Sequence, residues 1–290
     1  MTQLTTLGDL LNFAESEFIR ADLYFGHGTD NAWDEAVALC LHVMQLPHTV
    51  SRDALSLTPN ESEKQRILNL ISERCTTRRP LPYLLNEAYF CQIPFYVDDR
   101  VLIPRSPTAE LIEHRFQPWV KPEQVKRILD IGTGSACIAI ACALAFPQAT
   151  VDASDISNDS LAVAKINVEK YKLENRVHLI QSDLFSHVFT EKYDIIISNP
   201  PYVDQADMAS LPSEYQHEPQ HALFGGNDGL DLVKTILKEA KNYLTPNGIL
   251  VVEVGNSEVA LTEQFPTLPF IWLEFECGGD GVFLLTANDL

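Results

Sequence analysis

The residues of this chain best suited to chemistry stand at Asn199-Pro200-Pro201-Tyr202, directly after the short apolar run from Asp194 to Ser198. Two consecutive prolines fix φ and remove two backbone donors, so the Pro200 carbonyl is held outward with no local N–H competing for it. Asn199 adds a side-chain carbonyl, and the two oxygens together can receive both hydrogens of a planar NH2 group while Tyr202 stacks on its plane. An amide nitrogen is a poor nucleophile because its lone pair is delocalised into the carbonyl. Holding both N–H bonds in a fixed geometry favours pyramidalisation and aims the lone pair at an electrophile such as a sulfonium methyl. Positive charge developing on the nitrogen strengthens both hydrogen bonds in the transition state, which is the condition for acceleration. This scheme requires no dedicated general base. A proline-rich turn of purely structural use is the plain alternative, and the position of the loop at the end of a fourth strand after a glycine loop weighs against it.

That glycine loop is Arg127-Ile128-Leu129-Asp130-Ile131-Gly132-Thr133-Gly134-Ser135, a strand entering a glycine turn and then a helix. In an open α/β sheet this is where an adenosyl cofactor is expected, because glycines let the backbone approach a ligand closely. A dinucleotide loop would carry Gly-x-Gly-x-x-Gly or Ala. The third slot here is Cys137, so S-adenosylmethionine, which has no pyrophosphate, fits better. Asp155 ends the next strand at about the 20-residue distance at which a carboxylate accepts from ribose hydroxyls. Asp183 ends the third strand, placed to accept from an adenine amino group while the Leu184 backbone contacts the ring. It reads equally well as an ordinary strand-end aspartate.

The elements that must position these residues follow from periodicity. Apolar residues at helical spacing (Leu7, Leu10, Leu11, Ala14 and Phe18, then Ala36, Leu39, Cys40 and Val43) predict a small helical region over residues 4–74. Asp30 is the expected N-cap of its second helix, and a third helix is expected from Glu61 to Glu73. Tyr89-Phe90, Phe95-Tyr96-Val97 and Val101-Leu102-Ile103 predict a β-hairpin linker. After Pro122, strand-like runs at 127–130, 151–154, 177–181, 193–198 and 249–254 alternate with helical stretches at 135–146, 159–170 and 230–243. Such βα alternation implies a mostly parallel sheet with helices on both faces. At the end, Ile271–Cys277 and Val282–Thr286 flank Gly278-Gly279-Asp280-Gly281, so the last strand is expected to run antiparallel.

Composition narrows the partners. The 290 residues, 46% of them hydrophobic, suit a two-domain globular chain, and 40 acidic against 21 basic residues give a net charge of -19. Such a chain repels free DNA and anionic membranes and attracts basic proteins. The six cysteines (Cys40, Cys75, Cys91, Cys137, Cys142 and Cys277) form no Cys-x-x-Cys pair or Cys/His cluster, so neither a metal site nor a disulfide framework is expected. The longest apolar run, Cys137 to Phe146, is too short to span a bilayer, and no basic-headed apolar leader stands at the N-terminus. A cytoplasmic location is expected.

Together with Arg79-Pro80-Leu81-Pro82-Tyr83, Val101-Leu102-Ile103-Pro104-Arg105, Glu218-Pro219, Ala222-Leu223 and Asp228-Gly229-Leu230, these motifs resemble the glutamine-amide methyltransferases that modify translation proteins. The resemblance covers roughly Arg78 to the C-terminus. It implies a Rossmann-like class I methyltransferase sheet of seven strands, the last antiparallel, at 107–290, a helical substrate-recognition domain at 1–84 and a hairpin linker at 85–106. It further implies S-adenosylmethionine held by Asp130, Gly132, Thr133, Gly134, Asp155, Asp183, Leu184 and Asn199, with no metal. Asn199, Pro200, Pro201 and Tyr202 would bind the glutamine, with Asn199, Pro200 and Tyr202 catalytic. Arg105 reads equally as a substrate contact and as a packing element. Release-factor members usually continue Ile-Pro-Arg with Pro-Glu-Thr-Glu. The Ser106-Pro107-Thr108-Ala109-Glu110 found here resembles instead the branch acting on ribosomal protein L-three, a basic substrate modified before ribosome assembly. Ala136 stands where the family commonly has a third glycine, and its methyl is expected to crowd the cofactor or shift the loop.

Other readings stay in view: a release-factor methyltransferase, a nucleic-acid amino-methyltransferase using a similar acceptor loop, a noncatalytic ribosome assembly factor, and a nicotinamide oxidoreductase. The acidic charge and the lack of a basic aromatic segment disfavour the nucleic-acid reading. Intact Asn199 and Asp155 disfavour the noncatalytic one.

Overall fold

Leu7, Leu10, Leu11, Ala14 and Phe18 share one helical face, and α1 (Leu7–Arg20) buries all five. The structure is a computed structural model describing residues 4–47, 49–276 and 278–290. Thr6 and Asp9 cap α1 reciprocally. The second helix, α2 (Ala32–Val43), is capped by Asn31 and not by Asp30, because the Asn31 side-chain Oδ1 accepts the Asp34 amide. The third, α3 (Glu61–Thr77), begins in an Asn60/Glu63 capping box and runs past the expected end at Glu73, keeping Arg74 within the helix with its side chain buried. It stops at Arg78, whose φ is 59°, and a short α4 (Leu81–Leu85) follows. The unit's core includes Leu10, Phe18, Ala36, Leu39, Cys40, Ile67 and Ile71.

Contacts divide the chain into residues 4–87 with Pro212–His217, and Ala88–Leu211 with Glu218–Leu290. The hairpin expected as a linker thus groups with the sheet, and a distant segment joins the helices. Glu214 anchors that segment: it is 0% exposed, accepts the Tyr24 amide at 2.9 Å and pairs with Arg78 Nη2 at 2.7 Å. Arg74, also buried, lies 3.8 Å from it and donates to Glu35 at 2.6 Å. Burial alone would raise the Glu214 carboxyl. The Tyr24 amide and both guanidiniums outweigh it and hold the group below the ordinary glutamate value.

The second unit opens with a hairpin of β1 (Ala88–Phe90) and β2 (Ile93–Phe95), turned by Cys91-Gln92 at φ of 47° and 58°. Both turn residues have the positive φ that favours glycine or asparagine. The hairpin is shorter than expected, and Val101-Leu102-Ile103 is not a strand: the Ile103 amide donates to the Glu218 carboxylate at 3.0 Å in place of a ladder partner. After α5 (Thr108–Glu113) come β3 (Arg127–Ile131), α6 (Cys137–Ala145), β4 (Thr150–Asp155), α7 (Asn158–Lys170), β5 (Val177–Gln181), β6 (Tyr193–Ser198), α8 (Gln205–Ser210), α9 (Asp231–Glu239), β7 (Leu244–Glu253), α10 (Glu258–Gln264), β8 (Ile271–Trp272) and β9 (Val282–Thr286). The seven-stranded sheet has the order β5-β4-β3-β6-β7-β9-β8, with β9 antiparallel to both neighbours. Alternate residues feed opposite faces: Ile128, Ile195, Ile197 and Val251 pack with α6, and Leu129, Ile196, Leu250 and Val252 pack with α9.

Further boundaries differ from expectation, and β7 begins five residues before the expected Ile249. The helix expected from Ser135 begins at Cys137 because Ala136 is left-handed. The one expected through Tyr243 ends at Glu239 and passes into a 3-10 turn. The strand expected through Cys277 ends at Trp272, and the Glu276 amide bonds the Glu110 carboxylate instead. Cys277 itself lies outside the described residues.

Glu214→Ala leaves the Tyr24 amide and Arg78 without their carboxylate and is expected to destabilise the helical unit by about 3 to 5 kcal/mol, measured by urea denaturation. Because the folded carboxyl titrates low, its contribution is complete above about pH 4.3 and is lost as pH falls through the folded value. The gap between wild type and variant should therefore close on acidification; a gap independent of pH would refute this account.

Candidate active site

Parallel pairing sets Ile131 of β3 beside Ser154 of β4 and Ser198 of β6, and Asp155 beside Gln181 of β5. The loops leaving these strands therefore begin at one sheet edge. The chain winds from β3 through β4 to β5 and then returns to the other side of β3 with β6, which makes the β3/β6 edge a topological switch point, the usual ligand crevice of such sheets.

The glycine loop is fastened from below. Gly132 and Thr133 amides donate to Ser154 O at 2.8 and 2.9 Å. Asp130 is buried, and its Oδ2 accepts the Thr133 hydroxyl at 2.6 Å and the Ala139 amide at 3.1 Å. Burial pushes its carboxyl up to about 7 in spite of these donors. Asp130 thus braces the loop and the start of α6. Above the loop the space is open: a Cβ built on Gly134, whose φ is 55°, meets nothing within 4 Å. Asp155 accepts the Gly134 amide at 2.9 Å on Oδ2 and the Ser157 amide at 2.8 Å on Oδ1. Each oxygen keeps a second lone pair. Burial raises this carboxyl too, against those amides and the nearby His221. Asp183 is exposed, with no side-chain partner among the described residues, and Leu184 has φ of 46°, its carbonyl tied to the buried Ser182 hydroxyl at 2.8 Å. Ala136 has φ of 63°, and its methyl packs into the hydrophobic core, so the expected crowding of the ligand side does not arise.

The acceptor loop leaves β6 beside Gly132, whose built Cβ would stand 4.0 Å from Asn199 O. The half-buried Asn199 carboxamide has no hydrogen-bond partner among the described residues, and no described N–H donates to the Pro200 carbonyl. Both oxygens are left uncommitted. Behind them the loop is tightly cradled. A Cβ on Gly225 would sit 2.5 Å from Pro201 O and 2.7 Å from Tyr202 Cα; one on Gly229 would sit 2.2 Å from Tyr202 O. Val203 exchanges backbone bonds with the 223–225 stretch: its N–H donates to Leu223 O and its carbonyl accepts the Gly225 N–H. Asp228 fixes the turn above, accepting Lys234 Nζ at 2.7 Å and the Leu230 amide at 3.1 Å.

Arg105 is engaged inside this unit. Its guanidinium makes a two-pronged pair with buried Glu218 at 2.7 and 2.8 Å, which ties the Ile-Pro-Arg segment to Glu218-Pro219. Sequence reasoning passed over several site neighbours. Ile156, 62% exposed directly after the Asp155 that holds Gly134, offers an apolar surface beside the glycine loop; an exposed Ile following a strand-end acid was its signal. Asn167 clamps Ser135 O and both backbone groups of Tyr96, and nothing in its local sequence announces this. Glu253, likewise unmarked, accepts the Tyr202 hydroxyl at 2.8 Å and the Ser106 hydroxyl at 2.6 Å.

Residues 111–215 match the family model described as Methyltransferase small domain. The ribosomal protein uL3 glutamine methyltransferase of Francisella tularensis subsp. tularensis is 46% identical over 100% of this chain and 93% of its own. The protein of the same description from Bordetella pertussis is 47% identical over 99% of this chain and 97% of its own. Among solved structures, the hMettl16 catalytic domain in complex with a MAT2A 3'UTR hairpin superposes with a TM-score of 0.53, at 18% identity over 77% of this chain and 80% of that one, a likeness of fold. Sheet, motifs and near-full-length identity converge: this chain is a methyltransferase, and it belongs to the family of ribosomal protein uL3 glutamine methyltransferases.

Proposed function

We propose that this chain transfers the methyl group of S-adenosylmethionine to the side-chain amide nitrogen of a glutamine in the large-subunit ribosomal protein uL3. The observation that carries the reading is the pair of uncommitted oxygens, Asn199 Oδ1 and Pro200 O, at the β3/β6 crevice beside an open glycine loop. The cofactor, when bound, supplies an electrophilic methyl on a sulfonium. The residues present suit it: Gly132 and Gly134 leave room for close approach, Asp155 retains lone pairs for ribose hydroxyls, and Asp183, Leu184 and Ile156 border the place for adenine.

The chain's own part is positional. Asn199 and Pro200 accept the two amide hydrogens, Tyr202 covers the amide plane, and Thr133 and Asp130 keep the glycine loop in place. As charge develops on nitrogen, both acceptors bind the transition state more strongly than the ground state. The net charge of -19 favours encounter with a basic protein, free of assembled ribosome, over nucleic acid. No helix among the described residues is long and apolar enough to cross a membrane.

The test is incubation with methyl-labelled cofactor and, separately, purified uL3, a release factor, and RNA or DNA. Label on a glutamine of uL3 is expected; label on the release factor alone, or on a base, overturns the assignment. Asn199→Ala is expected to cut kcat by about 100-fold or more while calorimetry shows nearly unchanged cofactor affinity. Asp155→Ala should instead abolish cofactor binding detectable by the same calorimetry. Normal turnover by the Asn199 variant would refute the two-acceptor scheme. Gly225→Ala, whose new methyl meets only backbone, that of Pro201 and Tyr202 in the acceptor loop and of Gly229, should lower kcat by about 100-fold through displacement of the loop, with cofactor affinity retained.

A further inference from the structure

Glu253 ends β7 one residue beyond Val252, the partner of Ser198 in β6, and only 5% of it is exposed. Oε1 accepts the Tyr202 hydroxyl at 2.8 Å, and Oε2 accepts the Ser106 hydroxyl at 2.6 Å. Ser106 is itself held by the buried Thr108, through its hydroxyl at 2.7 Å and its amide at 3.2 Å. The result is a buried chain from Thr108 through Ser106 and Glu253 to the tyrosine of the acceptor loop. Two residues on, Gly255 has φ of 49°, and a Cβ there would lie 2.6 Å from the Tyr202 ring. Gly281 presses on Gly255 from behind, its built Cβ 2.0 Å from Gly255 O. Glu253-Val254-Gly255 therefore holds Tyr202 by its hydroxyl and by its ring together.

A carboxyl buried among hydroxyls, with no direct guanidinium or ammonium contact among the described residues, is unfavourable for folding. Burial raises it above the ordinary glutamate range, and the Ser106 and Tyr202 hydroxyls and the charge of Arg105 offset this only in part. An apolar residue would serve the sheet better at that depth. What the carboxyl provides, and an apolar residue cannot, is two acceptors pointing to two different segments. One is the catalytic loop. The other is Ser106, directly after the Arg105 that Glu218 fixes.

We propose that Glu253 is a positioning residue for methyl transfer: held by Ser106, it fixes the Tyr202 hydroxyl and so the direction in which Asn199 and Pro200 present their oxygens. The proposal rests on the amide-methylation reading above. Glu253 touches neither substrate nor cofactor in it. Because the effect passes through Tyr202, Glu253 and Tyr202 act as one unit. Ser106, by steering Glu253, lets the segment after Ile-Pro-Arg tune the acceptor loop from the far side.

The experiment uses the full-length enzyme with labelled cofactor and uL3. Glu253→Leu and Tyr202→Phe are each expected to lower kcat by about 10- to 100-fold, with cofactor Kd and uL3 KM changed by less than about twofold. The double variant should be no slower than the slower single one. Glu253→Gln, which preserves both hydrogen bonds if one hydroxyl turns from donor to acceptor, should retain most of kcat; a merely structural carboxylate would not separate Gln from Leu in kcat at equal thermal stability. Ser106→Ala should slow the wild type by about threefold or more and leave the Tyr202→Phe enzyme unaffected. Losses that multiply in the double variants, or that appear in KM alone, overturn the proposal. Should Glu253→Leu fail to fold, the Ser106/Tyr202 pair decides by the same criterion. If the unmodified enzyme labels no glutamine at all, the functional reading fails, an outcome distinct from independent losses in an active enzyme.

Discussion

The parallel pairing of β3 with β6, Ile131 opposite Ser198, is the constraint on which the site depends. Neighbouring strands lie about 4.8 Å apart, so this register delivers the first glycine of one loop and the first residue of the other within contact distance. The glycine loop and the acceptor loop belong to chain segments separated by some four elements, and only sheet register brings them together. Since every strand from β3 to β7 points the same way, Asp155 and the Asp183 loop arrive at the same edge. Because Ile195, Ile196 and Ile197 are buried on both faces, polar contacts at the strand's ends mark its register: Asp194 accepts the Lys126 and Arg127 amides and the Ser198 hydroxyl donates to Ile131 O, and a slip of one residue would break these bonds as it displaced the site.

Carboxylates are the second organising element, and most of the buried ones hold backbone. Asp130 takes the Ala139 amide, Asp155 those of Gly134 and Ser157, Glu218 that of Ile103, and Glu214 that of Tyr24. Irregular segments near an active site cannot satisfy their N–H groups in ladders, and a buried unpaired N–H is costly. A carboxylate with several lone pairs answers that need at single positions. Part of the acidic composition is therefore internal. The charge that repels polyanions and the groups that shape the loops are drawn from the same residue types, but they do different work in different places.

Much of this was legible in the sequence because it is encoded locally. Strand, glycine turn and helix at Arg127–Phe146 follow one another without interruption, and Asn199-Pro200-Pro201-Tyr202 carries its acceptor chemistry within four adjacent residues. The mostly parallel sheet and its antiparallel last strand also followed from alternation and the terminal glycine turn, and the resemblance supplied the count of seven strands. What stayed hidden depends on distant partners. Glu253 and Ser106 stand 147 positions apart, and Ile103 and Glu218 stand 115 apart, so no local pattern marks them. The same holds for the strand expected at Val101–Ile103, whose Val101 and Ile103 side chains are indeed buried but whose Ile103 amide goes to a carboxylate in place of a ladder. Asp30 and Asn31 are both good capping residues; which one caps is decided by the Asn31 bond to Asp34, and composition at that point is indifferent.

Ala136 illustrates how such departures are absorbed. A left-handed alanine costs about 1 to 2 kcal/mol relative to a right-handed one, which is why glycine is usual at such a turn. Its methyl, however, is fully buried in the cluster formed with Ile138, Ile140 and Val151, and burying one such group contributes about 0.8 kcal/mol. The burial term offsets part of that cost. The Ala136 amide donates to Thr133 O at 2.8 Å, and the space above Gly134 is open. A substitution that looks like a defect in the motif is thus a change on its core side, and the chemistry on the other side has no reason to register it.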